Sequence, residues 1–306
     1  MRKGVVIQTA LAGVLLAGTA LAQGDQSGKG TTKLRVAACQ ILNGPDLTRN
    51  TSKILEWIET AAKQDVDVVS FPEACLPGYV QEGGGKYYAK LGPEAVAGAE
   101  AEVVAASKRL NIAVVVGTVH WEEGKLYNSV LAIDKGGVVR GRYSKTYLAE
   151  KWPQPGKSLP VLTLAGVDSC FIICHDIRYP ELVRLPAIAG ARICYFSSHE
   201  SGLTKESKLS AYRAMPIARA TENTIFLVMA NSPASSTDLS GSHGNSKIVH
   251  PDGNVLAEAG YFDERLVVVD INVEDADRTV ARKSVEQKNT MLTGWLKKGA
   301  GKYTVK

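Results

Sequence analysis

Short apolar segments alternate with helical patterns along almost the whole chain, and this alternation constrains the fold more than any other feature. Residues 34–42, 66–71 and 111–119 are apolar runs of strand length. Residues 47–64 and 92–110 repeat apolar side chains at the spacing of an amphipathic helix. This alternation predicts an α/β fold, because each helix can cover the sheet that its neighbouring strands form.

The second half of the chain continues the alternation and adds hairpins. Further strands are predicted at 161–164, 169–174, 191–198, 224–231 and 265–271, helices at 180–190 and 205–223, and hairpins at 126–143 and 246–260. Hairpins give antiparallel pairs and strand–helix–strand units give parallel pairs, so we expect mixed sheets. No break inside 34–270 has the composition of a linker, which predicts one domain.

The first 22 residues have the pattern of a secretory signal peptide. Arg2 and Lys3 precede a continuous apolar stretch that ends in the small-x-small motif Ala20-Leu21-Ala22. An uncleaved membrane anchor is the alternative, because the stretch is close to spanning length. We therefore predict an exported protein, periplasmic or extracellular. The predicted segments are a signal peptide at 1–22, a flexible linker at 23–32, the main domain at 33–275 and a C-terminal tail at 276–306.

Charge and motifs argue against several kinds of partner. The 306-residue chain has a net charge of +5, and cleavage of the predicted signal peptide removes two basic residues and leaves +3. This charge is too small to favour nucleic acid or a membrane surface. Residues 83–85, Gly-Gly-Gly, lack the Lys-Ser/Thr of a phosphate loop and are predicted to form a surface turn. The five histidines lack the spacing of metal ligands, so we expect no metal. The thiol chemistry considered below requires no organic cofactor, so we expect none.

The five cysteines predict at least one unpaired thiol, because the count is odd. If Cys170 and Cys174 lie on one strand, they are about 13 Å apart, whereas a disulfide needs Cα atoms within roughly 7 Å. Cys39 and Cys194 lie inside apolar strands and are expected in the core. Cys174 instead ends an apolar strand and precedes a cluster of charged residues.

Polar residues follow the ends of three predicted strands. Glu73 follows residues 66–71 in an otherwise apolar segment, where desolvation would raise its pKa and make it a better base. The alternative is a carboxylate that caps or pairs with a neighbour. Lys145 and Glu150 lie in a loop rich in proline, where the alternative is two solvated charges. Cys174 ends the third strand, and its alternative role is a small buried hydrophobic residue.

These three positions fit one chemical scheme. A thiol needs a base to become a nucleophilic thiolate, and a carbonyl under attack needs a positive donor for the developing oxyanion. A carboxylate, an ammonium group and a thiol supply these parts. In layered α/β folds the carboxyl ends of the strands converge on the ligand crevice, so the three groups can meet there.

The chain also resembles the nitrilase, or carbon–nitrogen hydrolase, superfamily from about Leu34 to Asp270. Three motifs carry the resemblance. FPEACLPGY is similar to the family's segment with the base glutamate, GRYSKTYL to its lysine segment, and ICHDIRYPE to its nucleophile segment. Their order and wide spacing also match the family.

The resemblance implies an α/β, four-layer α-β-β-α sandwich with two mixed sheets, which pairs into a homodimer or higher homo-oligomer with the tail in oligomer contacts. It implies Cys174 as nucleophile, Glu73 as general base and Lys145 as oxyanion stabiliser, with Glu150 as a second catalytic glutamate. The main-chain N–H of His175 is expected to complete the oxyanion site.

Two further residues of the sequence are candidates for contact with the substrate. His199 and Glu200 follow a strand in a region that shapes the substrate pocket of relatives, and a solvated loop is their alternative. Asp176 and Arg178 are expected to hold the turn after the nucleophile rather than to bind substrate.

The resulting functional prediction is hydrolysis of a small amide or N-carbamoyl compound through a cysteine thioester. Nitrile hydrolysis and acyl transfer would use the same intermediate. His175 stands where a nitrilase proper usually has tryptophan, which favours an amide. A non-catalytic binding protein and a thiol-redox protein are the other classes considered. The intact set of Glu73, Lys145 and Cys174 argues against the first, and the lack of a C-x-x-C motif against the second.

Overall fold

The computed structural model describes residues 33–200, 203–235 and 242–286. The predicted signal peptide, the predicted linker up to residue 32 and the end of the predicted tail lie outside these residues. Within them no helix is long and apolar enough to cross a membrane. The strands are β1 (Lys33–Gln40), β2 (Val68–Ser70), β3 (Ala113–Glu122), β4 (Lys125–Asp134), β5 (Val138–Ser144), β6 (Leu162–Leu164), β7 (Val167–Ile173), β8 (Ile193–Ser198), β9 (Phe226–Asn231), β10 (Lys247–Val249), β11 (Val255–Glu258) and β12 (Arg265–Asn272). The helices are α1 (Leu47–Ala62), α2 (Gly84–Leu91), α3 (Pro93–Leu110), α4 (Glu181–Ala189), α5 (Glu206–Thr221) and α6 (Thr279–Glu286).

The strands form two six-stranded mixed sheets. The first sheet has the order β12-β1-β2-β3-β4-β5 and the second has the order β11-β10-β9-β8-β7-β6. In each sheet the central three strands are parallel, namely β1-β2-β3 and β7-β8-β9. Antiparallel strands complete both sheets on either side. The prediction of mixed sheets is confirmed.

The two sheets pack face to face and helices cover both outer faces. The inner faces share one apolar cluster, to which Val36 and Val115 come from the first sheet and Phe171 and Val228 from the second. Helices α1 and α3 cover the outer face of the first sheet, where Ile54 is fully buried. Helices α4, α5 and α6 cover the second. The predicted four-layer α-β-β-α sandwich is therefore confirmed.

Local sequence explains where the long helices begin and end. Asp46 caps α1, because its carboxylate accepts a hydrogen bond from the Arg49 N–H at 3.0 Å. Pro93 stands at the start of α3, as predicted, where its missing N–H leaves no helical bond unmade. The helix ends at Leu110, and the next residue, Asn111, takes the left-handed conformation common after a helix.

The predicted surface turn at residues 83–85 is wrong, because α2 begins there. Gly83 has a φ of +74° and precedes the helix, whose Tyr88 is fully buried. The Tyr88 hydroxyl donates to the Gly78 carbonyl and its ring packs on Trp152. A Cβ at Gly84 would lie 2.8 Å from the Trp152 indole, so tertiary packing selects glycine at this position.

The cysteines are unpaired, as the sequence predicts for at least one of them. All five are free thiols, and Cys39 and Cys194 are fully buried in the two outer apolar clusters. The predicted core positions of these two residues are confirmed. Cys174 differs from the others because it is half-buried.

Candidate active site

Cys174 follows the carboxyl end of β7 in a strained backbone conformation. Its φ is +42°, a region that residues other than glycine rarely adopt, and the chain turns there from the strand into a short 3-10 helix. Such strain concentrates at functional sites, where surrounding contacts enforce it. The thiol points to the main chain after β8, with Sγ 3.6 Å from the His199 carbonyl oxygen.

Asp176 holds this turn, as the sequence predicts. Its buried carboxylate accepts hydrogen bonds from the Ile173 N–H at 3.1 Å, the Tyr147 N–H at 2.8 Å and the Tyr143 hydroxyl at 2.8 Å. Two of these donors come from β5 and the loop that follows it. Asp176 therefore fastens the cysteine turn to the segment that carries Lys145. Arg178 lies differently, since its side chain is exposed and its guanidinium sits 5.7 Å from the ring centre of Tyr212.

Glu73 follows β2 and is fully buried, so the expected desolvation is present. Its Oε1 accepts hydrogen bonds from Lys145 Nζ at 2.7 Å and Asn128 Nδ2 at 2.8 Å, and its Oε2 accepts one from the His199 N–H at 3.1 Å. Its own N–H donates to the Ser198 carbonyl at 3.3 Å. Glu73 thus bridges the ends of β2 and β8, which belong to different sheets.

A close approach of β3 makes room for the Glu73 loop. A Cβ added to Gly117 would lie 1.9 Å from the Pro72 carbonyl oxygen and 2.6 Å from the Ala74 nitrogen. Gly117 also accepts a hydrogen bond from the Leu76 N–H at 3.0 Å. A side chain at position 117 would therefore displace the backbone on both sides of Glu73.

Lys145 lies at the end of β5 and is fully buried between two carboxylates. Its Nζ is 2.7 Å from Glu73 Oε1 and 2.7 Å from Glu150 Oε1. The Lys145 carbonyl accepts a hydrogen bond from the Gly156 N–H at 2.8 Å, which folds the proline-rich loop back onto the strand end. Because burial removes water from all three charges, their mutual contacts replace hydration.

Glu150 belongs to this cluster, and the alternative of a solvated charge is wrong. The residue is 5% exposed, and Oε1 accepts from both Lys145 Nζ and the Tyr79 hydroxyl, the latter at 2.8 Å. Tyr79 comes from the Glu73 segment, and its ring stacks on His199 with 4.3 Å between ring centres. Tyr79 therefore connects the two carboxylate-bearing loops.

Electrostatics set the two glutamates apart although both contact Lys145. Burial raises the pKa of Glu73 to about 7, against the lowering effect of Lys145 and with a further increase from Glu150. Burial also acts to raise the pKa of Glu150, but Lys145 and the Tyr79 hydroxyl bring it below its ordinary value. Glu73 is thus the carboxylate poised to exchange a proton near neutral pH, while Glu150 keeps its charge.

Lys145 stays protonated in this environment. Burial acts to lower its pKa, but the charges of Glu73, Cys174 and Glu150 raise it above the ordinary value. The pKa of the Cys174 thiol is raised well above its ordinary value by burial and by Glu73, while Lys145 lowers it. A base and a cation therefore lie within electrostatic range of the sulfur, which is what formation of a thiolate requires.

The structure also locates the predicted substrate-binding residues. His175 is half-buried, and its ring meets that of Tyr179 edge-on at 5.8 Å between ring centres. His199 is half-buried and contacts both Glu73 and Cys174 through its main chain. Glu200 is only 2% exposed. The alternative of a solvated loop is therefore wrong for His199 and Glu200.

Three contributions to the site were not predicted from the sequence. Asn128 lies within β4 and binds Glu73, Tyr79 binds Glu150, and the main chain of His199 binds Glu73 and Cys174. An asparagine within the apolar strand LYNSVLAID was an available signal, because asparagine is uncommon in strands. No comparable sequence signal indicated the roles of the Tyr79 hydroxyl and of the His199 main chain.

Comparison with known proteins identifies the family. The sequence profile of the carbon-nitrogen hydrolase family matches residues 35–280. The chain belongs to this family. A (R)-stereoselective amidase from a Pseudomonas species is 31% identical over 229 residues, which cover 73% of this chain and 79% of the relative. A 2-oxoglutaramate amidase from Bacillus subtilis is 28% identical and covers 75% of this chain and 86% of the relative.

Solved structures agree with this assignment. A cysteine mutant of a nitrilase-superfamily amidase from Nesterenkonia is 26% identical, with a TM-score of 0.73 over 88% of this chain and 99% of the amidase. Another structure of that amidase, 27% identical with a TM-score of 0.71 over 81% of this chain and 94% of the amidase, shows the acetamide moiety of fluoroacetamide added covalently at the active-site cysteine. This chain is therefore a carbon–nitrogen hydrolase of the amidase-like branch.

Proposed function

We propose that this hydrolase cleaves a small amide or N-carbamoyl compound, with Cys174 as nucleophile, Glu73 as general base and Lys145 as oxyanion stabiliser. The observation that carries the proposal is the buried Lys145 ammonium between Glu73 and Glu150, next to a cysteine held at positive φ. A packed protein without catalytic function gains little from three buried charges and a strained turn.

In the first step Glu73 accepts the thiol proton and the Cys174 sulfur attacks the carbonyl carbon. In the structure the thiol contacts the His199 carbonyl, while the N–H of the same residue holds Glu73 Oε2. Rotation of the thiol about its side-chain bond would turn it from His199 towards the carboxylate. A pKa of about 7 makes Glu73 a stronger base than an ordinary glutamate and leaves a large fraction ionised at neutral pH.

The negative charge that develops on the carbonyl oxygen is then stabilised by Lys145, and the main-chain N–H of His175 is proposed as a second donor. A preorganised cation in a buried site acts more strongly than the same charge in water. Glu150 keeps the ammonium of Lys145 in place and, since its own pKa is low, does not compete for the thiol proton.

The remaining steps release the amine and hydrolyse the thioester. Protonated Glu73 gives its proton to the departing nitrogen, the C–N bond breaks, and the acyl group stays on Cys174. Glu73 then takes a proton from water as the water oxygen attacks the thioester, the C–S bond breaks to release the carboxylic acid, and the proton on Glu73 returns to the Cys174 sulfur. Every step uses groups already at the site.

Intact mass spectrometry during turnover tests the assignment of the nucleophile. The wild-type protein and a Cys194→Ala control should both gain the mass of the acyl group, because Cys194 lies in an outer apolar cluster away from Glu73 and Lys145. Cys174→Ala should gain none and should lose turnover. Full turnover in Cys174→Ala would refute the mechanism.

Ammonia release from a panel of primary amides, nitriles and N-carbamoyl amino acids tests the substrate class. The relatives from Pseudomonas and Bacillus subtilis are amidases, and this supports an amide. His175 after the nucleophile supports the same choice. Preferential hydrolysis of nitriles would contradict it.

We also propose that the protein is exported and assembles as a homo-oligomer, with residues 1–22 as the signal. The apolar segment with its small-x-small motif supports export, and the resemblance to the nitrilase superfamily supports assembly. N-terminal sequencing of the protein from a secretion-competent host tests for a new terminus after Ala22. Light scattering on the mature protein tests for a mass above that of one chain.

A further inference from the structure

Glu200 is a buried carboxylate that the chemistry above does not use. Neither of its oxygens accepts a hydrogen bond from a described residue, and the side chain is 2% exposed. His243 Nε2 lies 3.3 Å from Glu200 Oε2. Burial of a carboxylate without hydrogen bonds is unfavourable, because the water that solvated it is not replaced. A buried carboxylate without hydrogen bonds is uncommon in native proteins, and one explanation for it is a role in binding a ligand.

The position of Glu200 relative to the nucleophile points to the substrate as that ligand. The carbonyl oxygen of His199, which is 3.6 Å from Cys174 Sγ, and the N–H of Glu200 belong to one planar peptide unit. The Glu200 nitrogen therefore lies within roughly 6 Å of the sulfur, given standard peptide dimensions. The same N–H donates to Asn231 Oδ1 at 3.3 Å, which fixes the orientation of this peptide unit.

The charges of the site make a cation the complementary ligand. Glu73 and Glu150 already place two carboxylates around the single ammonium of Lys145. Glu200 adds a third acidic group within electrostatic range of Cys174, whose pKa it raises. Burial raises the pKa of Glu200 well above its ordinary value, Lys247 lowers it, and Glu73 raises it further. A cation bound at Glu200 would offset this burial cost.

Lys247 at the start of β10, whose charge lowers the pKa of Glu200, has other hydrogen-bond partners. Lys247 Nζ is 2.7 Å from Asn245 Oδ1 and 2.7 Å from Glu258 Oε2. The His243 ring stacks on Tyr212 with 5.5 Å between ring centres and lies against one side of the Glu200 carboxyl group. Within the described residues, the Glu200 carboxyl group therefore has His243 as its neighbour and forms no ion pair with a lysine or an arginine.

Burial of Glu200 does not keep a substrate away. Glu73 and Lys145 are also fully buried, although the proposed reaction requires both. Cys174, the proposed nucleophile beside them, is half-buried rather than fully buried. Once a small substrate has entered, its contacts with buried charges are made at low dielectric and are correspondingly strong.

We propose that Glu200 binds an ammonium group on the acyl part of the substrate, so that the preferred substrates are primary amides of amino acids. In a primary amide the leaving group is ammonia, so any permanent cation must lie on the acyl side. The N–H groups of the ammonium donate to the Glu200 oxygens that lack hydrogen-bond donors. This inference rests on the proposed function, since it places the substrate carbonyl at Cys174.

Equilibrium binding to the Cys174→Ala variant tests the inference without requiring turnover. Alaninamide is compared with isobutyramide and β-alaninamide with butyramide, because each pair replaces an ammonium with a methyl group of similar size. In isothermal titration we expect at least one ammonium compound to bind about 30-fold or more tightly than its partner, as expected for a buried charge pair. Glu200→Gln in the same background should reduce this ratio to near one.

A matched control removes a carboxylate elsewhere. Glu264 forms an ion pair with Lys53 on the surface, so Glu264→Gln in the Cys174→Ala background should keep the full ratio. Circular dichroism checks that each variant is folded. If Glu200→Gln does not fold, Glu200→Asp, which retracts the charge by one methylene, should lower the ratio instead.

Several outcomes would overturn the inference. These are equal affinity within both pairs, no binding of any of the four compounds, and an undiminished ratio after substitution of Glu200. Failure of the proposed function gives a different result, since wild-type protein would then bind ammonium amides selectively but form no thioester. Turnover of neutral amides without any preference for an ammonium group would refute the Glu200 subsite alone.

Discussion

Gly117→Ala should disable the active site although residue 117 makes no contact through a side chain. The new Cβ would lie 1.9 Å from the Pro72 carbonyl oxygen and 2.9 Å from the Glu73 carbonyl carbon, and separations under 3.0 Å are essentially never seen. The Pro72 carbonyl must therefore move by about 1.1 Å. A displacement of roughly 1 Å at a catalytic group costs about 100-fold in rate. Overpacking of this kind costs about 1–3 kcal/mol of stability.

Steady-state kinetics and urea denaturation measure these two effects. We expect kcat/KM for the best amide to fall about 100-fold, with a lower unfolding midpoint in urea. Gly98→Ala is the matched control, because Gly98 is exposed in α3 and a Cβ there meets nothing within 4 Å. That control should keep full activity and gain up to about 1 kcal/mol, since alanine favours a helix over glycine. Activity of Gly117→Ala within threefold of wild type would refute the proposed packing of the Glu73 loop.

Three further predictions concern Glu73, Tyr79 and Asp176. Because the ionised form of Glu73 must accept the thiol proton and its pKa is about 7, kcat/KM for a neutral amide should fall as the pH drops below about 7, and a pH–rate profile measures this. Tyr79→Phe removes the 2.8 Å hydrogen bond to charged Glu150 and should lower the free energy of unfolding by about 1.5–3 kcal/mol in urea denaturation. Asp176→Asn replaces a carboxylate that accepts three hydrogen bonds by a group with one acceptor oxygen, so it should cost about 1–3 kcal/mol and lower kcat; denaturation and kinetics check both.

The sequence was sufficient to predict the fold class and the strand ends at which the proposed catalytic residues lie. Glu73, Lys145 and Cys174 are polar residues at the ends of apolar strands, and parallel strands bring their carboxyl ends together. The family motifs then gave each residue a role. The start of α3 at Pro93 also follows from a local residue type, which acts through nearest neighbours along the chain.

Other features depend on packing between segments distant in sequence, which local patterns do not encode. Residues 83–85 looked like a turn, but the burial of Tyr88 against Trp152 makes them the start of a helix. For Glu150 the residue types alone left a solvated charge as the alternative, but the Tyr79 hydroxyl and Lys145 bind it. A main-chain contact such as the hydrogen bond from the His199 N–H to Glu73 cannot be predicted from residue types, because every residue except proline has an N–H group.

The site combines two energetically unfavourable features, backbone strain and buried charge. The two features lie on different residues, which explains how one chain can hold both. Backbone strain lies at Cys174 and at Ala74, whose φ values are +42° and +44°, and each such residue costs about 1–3 kcal/mol. Buried charge lies on the side chains of Glu73 and Lys145, which bond to each other. The strained turn at Cys174 is held by hydrogen bonds to the Asp176 carboxylate, whereas Glu73 is held by Lys145, Asn128 and the His199 N–H. Loss of a single contact should therefore disturb either the direction of the Cys174 thiol or the charge of Glu73. The pH–rate profile separates these two cases, because only a change in the charge of Glu73 alters its pKa.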